Sequence, residues 1–151
     1  MVLEEVISEV YTKFKLHFYK NVFEKIKNRE TSLTTVELFC VEIIHALGEP
    51  TVNEFANYIG VSSPNAAYKI ASLLQKGYIE KIQSTTDRRE YHLKVTDKYY
   101  HYYNLSDEYV KKVCDRAEKR FAPEDVQKLR EMMTIISHEM MEEVAIAGAA
   151  N

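Results

Sequence analysis

Apolar residues near the N-terminus recur at three- and four-residue steps, at Leu3, Val6, Ile7, Val10, Tyr11, Phe14, Phe18, Val22 and Ile26. That spacing predicts one face of a long amphipathic helix, ended by the Lys and Asn residues at 25–29. Thr34 with Glu37 three residues on is the signature of a capping box. It opens a second helix striped by Val36, Phe39, Cys40, Ile43 and Leu47 and stopped by Gly48 and Pro50. Thr51 and Glu54 repeat the signature for a short third helix through Phe55, Ala56 and Ile59, closed by Gly60. A fourth helix follows, with Ser63 the favoured N-cap, Ser62 the alternative, and Pro64 in the first turn. It buries Ala66, Ile70, Leu73 and Leu74 and stops at Gly77.

The period then falls from 3.6 to 2. Tyr78–Ser84 reads as one strand and Glu90–Thr96 as a second, with Tyr91, Leu93 and Val95 inward and Glu90, His92 and Lys94 outward. The five residues between them, Thr85 to Arg89, contain nothing apolar and predict a solvent-exposed hairpin tip. Helical spacing returns from Thr96 through Tyr99, Tyr102, Tyr103, Tyr109, Val110, Val113, Ala117 and Phe121. Pro123 starts a last helix carrying Val126, Leu129, Met133, Ile136, Met140 and Val144, after which Ala-Gly-Ala-Ala-Asn is expected to fray. The fold class is mainly α with a small β-hairpin, and 151 residues is the size of one continuous domain.

Composition narrows the function. Four Gly and three Pro mean few turns and long helices. A hydrophobic share of 46% excludes wholesale disorder. No apolar run approaches a membrane span, the first residues are acidic rather than signal-like, and two cysteines build no disulfide framework; all three point to a cytoplasmic protein. Charge matters through its distribution. Residues 62–98 carry Lys69, Lys76, Lys81, Arg88, Arg89, Lys94 and Lys98 against Glu80, Asp87, Glu90 and Asp97. That surplus of +3 in a chain of net charge −3 leaves −6 elsewhere, and it hints at a polyanionic partner.

Helix, tight turn, helix, then a two-stranded ribbon with a basic tip is the sequence form of a winged helix-turn-helix. The fourth helix is narrow enough to enter a major groove, where base edges differ in donor and acceptor pattern. With Ala66, Ile70 and Leu73 on the buried side, Pro64, Asn65, Tyr68, Ser72 and Gln75 point away and Lys69 lies on the flank. Asn65 can pair with adenine, Ser63 can meet base or phosphate, and Lys69 suits phosphate. No arginine occurs in this helix, so its readout of guanine is expected to be weak. The wing tip brings Arg88 or Arg89 to an adjacent minor groove, beside which Asp87 would be harmful unless it orients an arginine.

These residues resemble the MarR (multiple antibiotic resistance regulator) family of bacterial transcription factors. The likeness runs from Leu33 through Thr96. It is carried by Thr51-Val-Asn-Glu-Phe-Ala, Ile59-Gly-Val-Ser-Ser-Pro-Asn, Leu73-Leu-Gln-Lys-Gly-Tyr-Ile-Glu-Lys and the Asp87-Arg88-Arg89 wing followed by Leu93-Lys-Val-Thr-Asp-Lys. Tyr99 departs from the pattern, standing where the family usually has Gly, and bears on where the fifth helix starts. The resemblance implies a homodimer in which the first, fifth and sixth helices of both chains intertwine. Residues 1–30 and 99–151 are then the dimerisation region and 31–98 the DNA-binding head. It further implies Arg89 in the minor groove, held by Asp87, with Ser63, Asn65 and Tyr68 on the reading helix. The candidate DNA-contacting set is Ser62, Ser63, Pro64, Asn65, Tyr68, Lys69, Asp87, Arg88 and Arg89. The partner is double-stranded DNA with a pseudo-palindromic operator, and the function a transcriptional regulator, a repressor released by a small effector. The alternatives are a winged-helix module that binds protein instead, or a metal or redox sensor on the same fold.

Eleven tyrosines are a surplus. Tyr99, Tyr100, Tyr102, Tyr103 and Tyr109 cannot all face one side of a helix, so they read either as core and interface filling or as a pocket wall. In the second case Phe14, His17, Phe18, Tyr99, Tyr102 and Tyr103 line a site for a phenolic or acyl effector. Five scattered histidines lack the convergence a zinc site needs, so no metal and no cofactor is expected. Cys40 falls in an apolar stripe and Cys114 beside an acidic residue, neither favouring a reactive thiolate. No phosphate loop, metalloprotease motif or nucleophile elbow is present, and no enzymatic activity is expected.

Overall fold

A computed structural model describes residues 1–28, 32–103 and 105–144; the side chains of residues 102, 103, 105 and 106 also lie outside it. Among the described residues the chain forms α1 (Leu3–Lys27), α2 (Thr35–Leu47), α3 (Val52–Ile59), α4 (Ser63–Gln75), β1 (Ile79–Gln83), β2 (Tyr91–Val95), α5 (Asp97–Tyr103), α6 (Leu105–Arg120) and α7 (Pro123–Glu139). The single stretch expected from Thr96 to Phe121 is thus carried by α5 and α6, with Asn104 between them outside the described residues. Helix α5 starts at Asp97, so Tyr99 sits in its first turn rather than at its start. The last helix stops at Glu139, leaving Met140 and Val144 beyond it; the expected fraying segment is outside the described residues.

Two units separate by backbone contacts, residues 1–31 with 102–137 and residues 32–101 with 138–151. The second unit, hereafter the head, encloses its own core. Leu38, Val41 and Ile44 of α2, Phe55 of α3, Ala66, Ile70 and Leu73 of α4, Leu93 of β2 and Tyr99 of α5 are all buried. Each such side chain contributes on the order of 1.5–3 kcal/mol. The hairpin is antiparallel in the register Ile79↔Val95, Lys81↔Leu93 and Gln83↔Tyr91. Both strands are shorter than the alternation predicts. Leu93 and Val95 face inward as expected, but Tyr91 is exposed, because near the tip the ribbon has left the helices that cover its base.

Local chemistry fixes the helix ends. Thr34 Oγ1 accepts from the Glu37 amide at 3.2 Å and the Glu37 carboxylate accepts from the Thr34 amide at 2.8 Å, a closed capping box. At α3 only half of the box forms, Thr51 Oγ1 accepting from the Glu54 amide. For α4 the N-cap is Ser62, whose Oγ accepts from the Asn65 amide at 3.4 Å, so Ser63 is the first helical residue and not the cap. Pro64 is accommodated in the first turn, where its missing N–H costs no intrahelical bond. Gly48 and Gly60 end α2 and α3 in the left-handed region, at φ 66° and 67°, where a Cβ would be strained.

The unit formed by α1, α6 and most of α7 is different in kind. Helix α1 packs along α6, with Val22 its one buried residue. Helix α7 buries none at all. Leu3, Ile7, Val10, Leu129, Met133 and Ile135 are exposed on these helices. Among the described residues no helix is long and apolar enough to cross a membrane.

Candidate nucleic-acid interface

The head presents two exposed features. The first is the outer face of α4. Ser62, Ser63, Pro64 and Asn65 are exposed at its entrance, Tyr68 is 80% exposed one turn on, and Lys69 is half-buried on the flank. Gln75 lies on the same exposed side. Ser72, expected to point outward, is instead half-buried and donates its hydroxyl to Glu37. Leu74, expected in the core, is half-exposed. Two residues that the sequence reading passed over, Ala67 and Ala71, are exposed on this face. An outward alanine is indistinguishable from a neutral helix former in sequence; only the burial of its neighbours reveals that it stands on the exposed face.

The second feature is the wing. Ser84 closes its near side: the hydroxyl accepts from the Thr86 and Asp87 amides at 3.3 Å each, and the Ser84 amide donates to the Glu90 carbonyl at 2.9 Å. This turn sets Asp87 to receive Arg89 three times, from its backbone amide at 2.9 Å, Nε at 3.2 Å and a terminal guanidinium nitrogen at 3.3 Å. The Arg89 guanidinium beside Asp87 holds that carboxyl below the usual range. Arg89 itself stays 91% exposed, so the pair fixes direction without hiding charge. Gln83 Nε2 donates to the Arg88 carbonyl at 2.7 Å and steadies the other side of the tip. Arg88 is exposed.

Behind these surfaces α4 is anchored to α2 through Glu37. Lys76 Nζ reaches both Glu37 oxygens, at 3.0 and 2.8 Å, and the Ser32 carbonyl at 2.8 Å. Desolvation alone would raise the Glu37 carboxyl; Lys76, Ser72 and Thr34 together outweigh it and bring it to about 2. Lys76 therefore belongs to the scaffold, although sequence charge assigns it to the basic edge. The base of the wing is stitched to the α2–α3 connection as well. Thr51 forms a β-bridge with His92, and His92 Nδ1 lies 2.8 Å from the Glu49 carbonyl. A cavity of about 200 Å³ lies between the start of α3 and the wing, lined in part by Thr51, Asn53, Lys81, Arg89 and Tyr91.

The residues expected to line an effector site fall as follows. Phe14 and His17 of α1 both meet Tyr109 of α6: His17 stacks on it at 3.6 Å between centroids and 5° between planes, and Phe14 meets its edge at 5.6 Å. Asn21 donates to the His17 carbonyl at 2.8 Å. Val10, Lys13, Phe14, Tyr109 and Val113 line a cavity of about 130 Å³. Phe18 contacts Tyr19 on its own helix. Tyr99 belongs to the head core, where its hydroxyl donates to Glu42 at 2.9 Å and its ring meets His45 and Tyr100. The Tyr102 and Tyr103 side chains lie outside the described residues. Burial pushes the Cys40 thiol up, as its apolar stripe predicts. Among the described residues, no three His, Cys, Asp or Glu side chains converge on a common point.

A helix-turn-helix whose second helix stands open to solvent, followed by a hairpin that ends in an oriented arginine, defines a winged helix-turn-helix protein. Residues 33–91 match the model of the MarR family. No curated protein sequence matches it. Solved structures share its fold over nearly the whole chain. A MarR family protein from Bacillus stearothermophilus is 12% identical, covers 91% of this chain and 92% of its own, and superposes with a TM-score of 0.61. A transcriptional regulator from Thermotoga maritima is 16% identical, covering 91% and 95%, with a TM-score of 0.59. Streptococcus pneumoniae FabT, solved in complex with DNA, is 18% identical, covering 95% and 100%, with a TM-score of 0.56.

Proposed function

We propose that the protein is a homodimeric, cytoplasmic repressor that reads a pseudo-palindromic operator and is released from it by a small effector. The observation that carries this reading is the wing: Arg89 is directed by Asp87 yet stays 91% exposed, with no packing role in the head. An oriented, solvated guanidinium suits the narrow minor groove, where negative potential concentrates. Helix α4 then enters the adjacent major groove, with Ser62, Ser63, Pro64, Asn65 and Tyr68 at base edges or phosphate and Lys69 on the backbone.

Exposed apolar faces on α1 and α7 support the homodimer, since stripes of that length seldom remain in water. Residues 1–30 and, within 99–151, the helices α6 and α7 serve as its dimerisation region, while Tyr99 stays with the head core. Two recognition helices would lie about one helical turn, ~34–36 Å, apart. Effector release follows from linkage: a ligand that favours a dimer with the wrong head spacing lowers DNA affinity by its differential affinity for the two states. The Phe14–His17–Tyr109 cluster beside a cavity of about 130 Å³ suits a small aromatic or acyl compound. FabT, which shares this fold, was solved in complex with DNA, which supports the reading.

An electrophoretic shift with the DNA upstream of the protein's own gene tests it. Changing Arg88 and Arg89 together to Ala should weaken binding at least tenfold and reduce the slope of log affinity against log salt by about 1–2 per protomer. Unchanged affinity and slope would remove the wing from the interface, and no shift at all would favour a protein-binding module.

A further inference from the structure

The exposed face of α4 is chemically one-sided. Two ridges run along it, Pro64–Tyr68 and Ala67–Ala71–Gln75, with Asn65 at the edge of the first turn, and all six residues are exposed. None carries charge. Guanine is read in the major groove chiefly by Arg or Lys at O6 and N7, and cytosine by a carboxylate accepting from N4. Helix α4 contains no Arg, Asp or Glu. Its lysine, Lys69, is half-buried on the flank, and Lys76 just beyond is spent on Glu37 and the Ser32 carbonyl. Beyond the Ser62 and Ser63 hydroxyls, which can meet any base or phosphate and so do not discriminate, the groups that remain are two amides and a run of apolar surface. Amides pair bidentately with adenine N6 and N7, and small or aromatic apolar groups seat the thymine 5-methyl group.

We infer that the recognition helix reads A·T base pairs, with Asn65 and Gln75 as adenine readers and Ala67, Tyr68 and Ala71 forming an apolar seat for thymine methyl groups. The inference rests on the DNA-binding function proposed above and names the chemistry that the operator half-site must present. Alanine backbones at positions 67 and 71 allow the helix to approach the groove floor closely, so the methyl contact is steric and local. Tyr68 closes the seat from one side with its ring.

The test selects half-sites from randomised duplexes with the full-length protein, then remakes the selected duplex with deoxyuridine in place of thymidine. Uracil removes the major-groove methyl and leaves the minor-groove edge unchanged, which separates α4 from the wing. We expect half-sites dominated by A·T pairs and a loss of about fivefold or more in affinity on uracil substitution at one or more positions. The Ala71→Gly variant should lose most of that methyl sensitivity, its affinity for the thymidine duplex falling towards that for the uracil duplex. Selected half-sites built on G·C pairs, or A·T half-sites indifferent to uracil, would overturn the inference and leave DNA binding standing. Enrichment of no sequence would instead overturn the DNA-reading function itself, and this inference with it.

Discussion

The head and the α1–α6–α7 unit both carry apolar residues at helical spacing, and those residues end in opposite states. In the head, Leu38, Phe55, Ile70, Leu73 and Leu93 are buried within one chain. In the other unit the same residue types, Leu3, Ile7, Leu129, Met133 and Ile135, face solvent. The difference is partly compositional, since α6 and α7 are more polar than α2, α3 and α4, and partly geometric. Short elements of the head surround a common centre, whereas α1 and α6, running beside one another, each have a second side that no described residue covers. A pattern of stripes therefore tells which face is apolar, and only the arrangement tells whether the chain itself can satisfy it.

Equal truncations should separate the two states most sharply. Phe55→Ala should cost the head about 3–5 kcal/mol in urea unfolding, at any protein concentration, because the cavity lies inside one chain. On the proposed homodimer, Met133→Glu should instead leave head stability intact and raise the dissociation constant by roughly tenfold or more, read by sedimentation. A dissociation constant unmoved by that charge would show that α7 is not part of the interface. The third contrast is in pH. Glu37 is held at about 2 against an ordinary 4.5, so its contribution is complete above pH 4.5 and is lost as pH falls towards 2. Glu37→Gln should remove that part of the acid limb, on the order of 1–2 kcal/mol after screening, and do so in the head alone. The smallest expected effect is at the wing. Asp87→Asn should leave thermal stability unchanged and weaken operator binding about three- to tenfold, through lost preorganisation of Arg89.

Much of the head was legible in its residues because local rules and packing agree there. The capping box at Thr34–Glu37, the glycine stops at 48 and 60 and the change of period at Tyr78 all have causes within a few residues. The departures come from longer range. Ser72 leaves the outer face because Glu37, 35 residues away in sequence, accepts its hydroxyl. Lys76 counts towards a basic edge by charge but is anchored to α2. Tyr91 alternates correctly yet is exposed, since alternation gives a side of the ribbon and not the depth of what lies beneath it. At the candidate interface the Asp87–Arg89 pairing was expected, while the exposed alanines carry no signal until their neighbours are placed.

On the proposed function, the Thr51–His92 bridge and the His92–Glu49 contact bear on how DNA affinity is switched. A wing tied at its root to the turn ahead of α3 follows that turn, and α3 packs on α4. Ribbon and helix would then move as the two prongs of a single fork. On the dimer reading, a signal has only one quantity to adjust, the gap between one fork and its twin, as in a pair of calipers. Inserting one base pair between operator half-sites should then mimic the released state without any effector present.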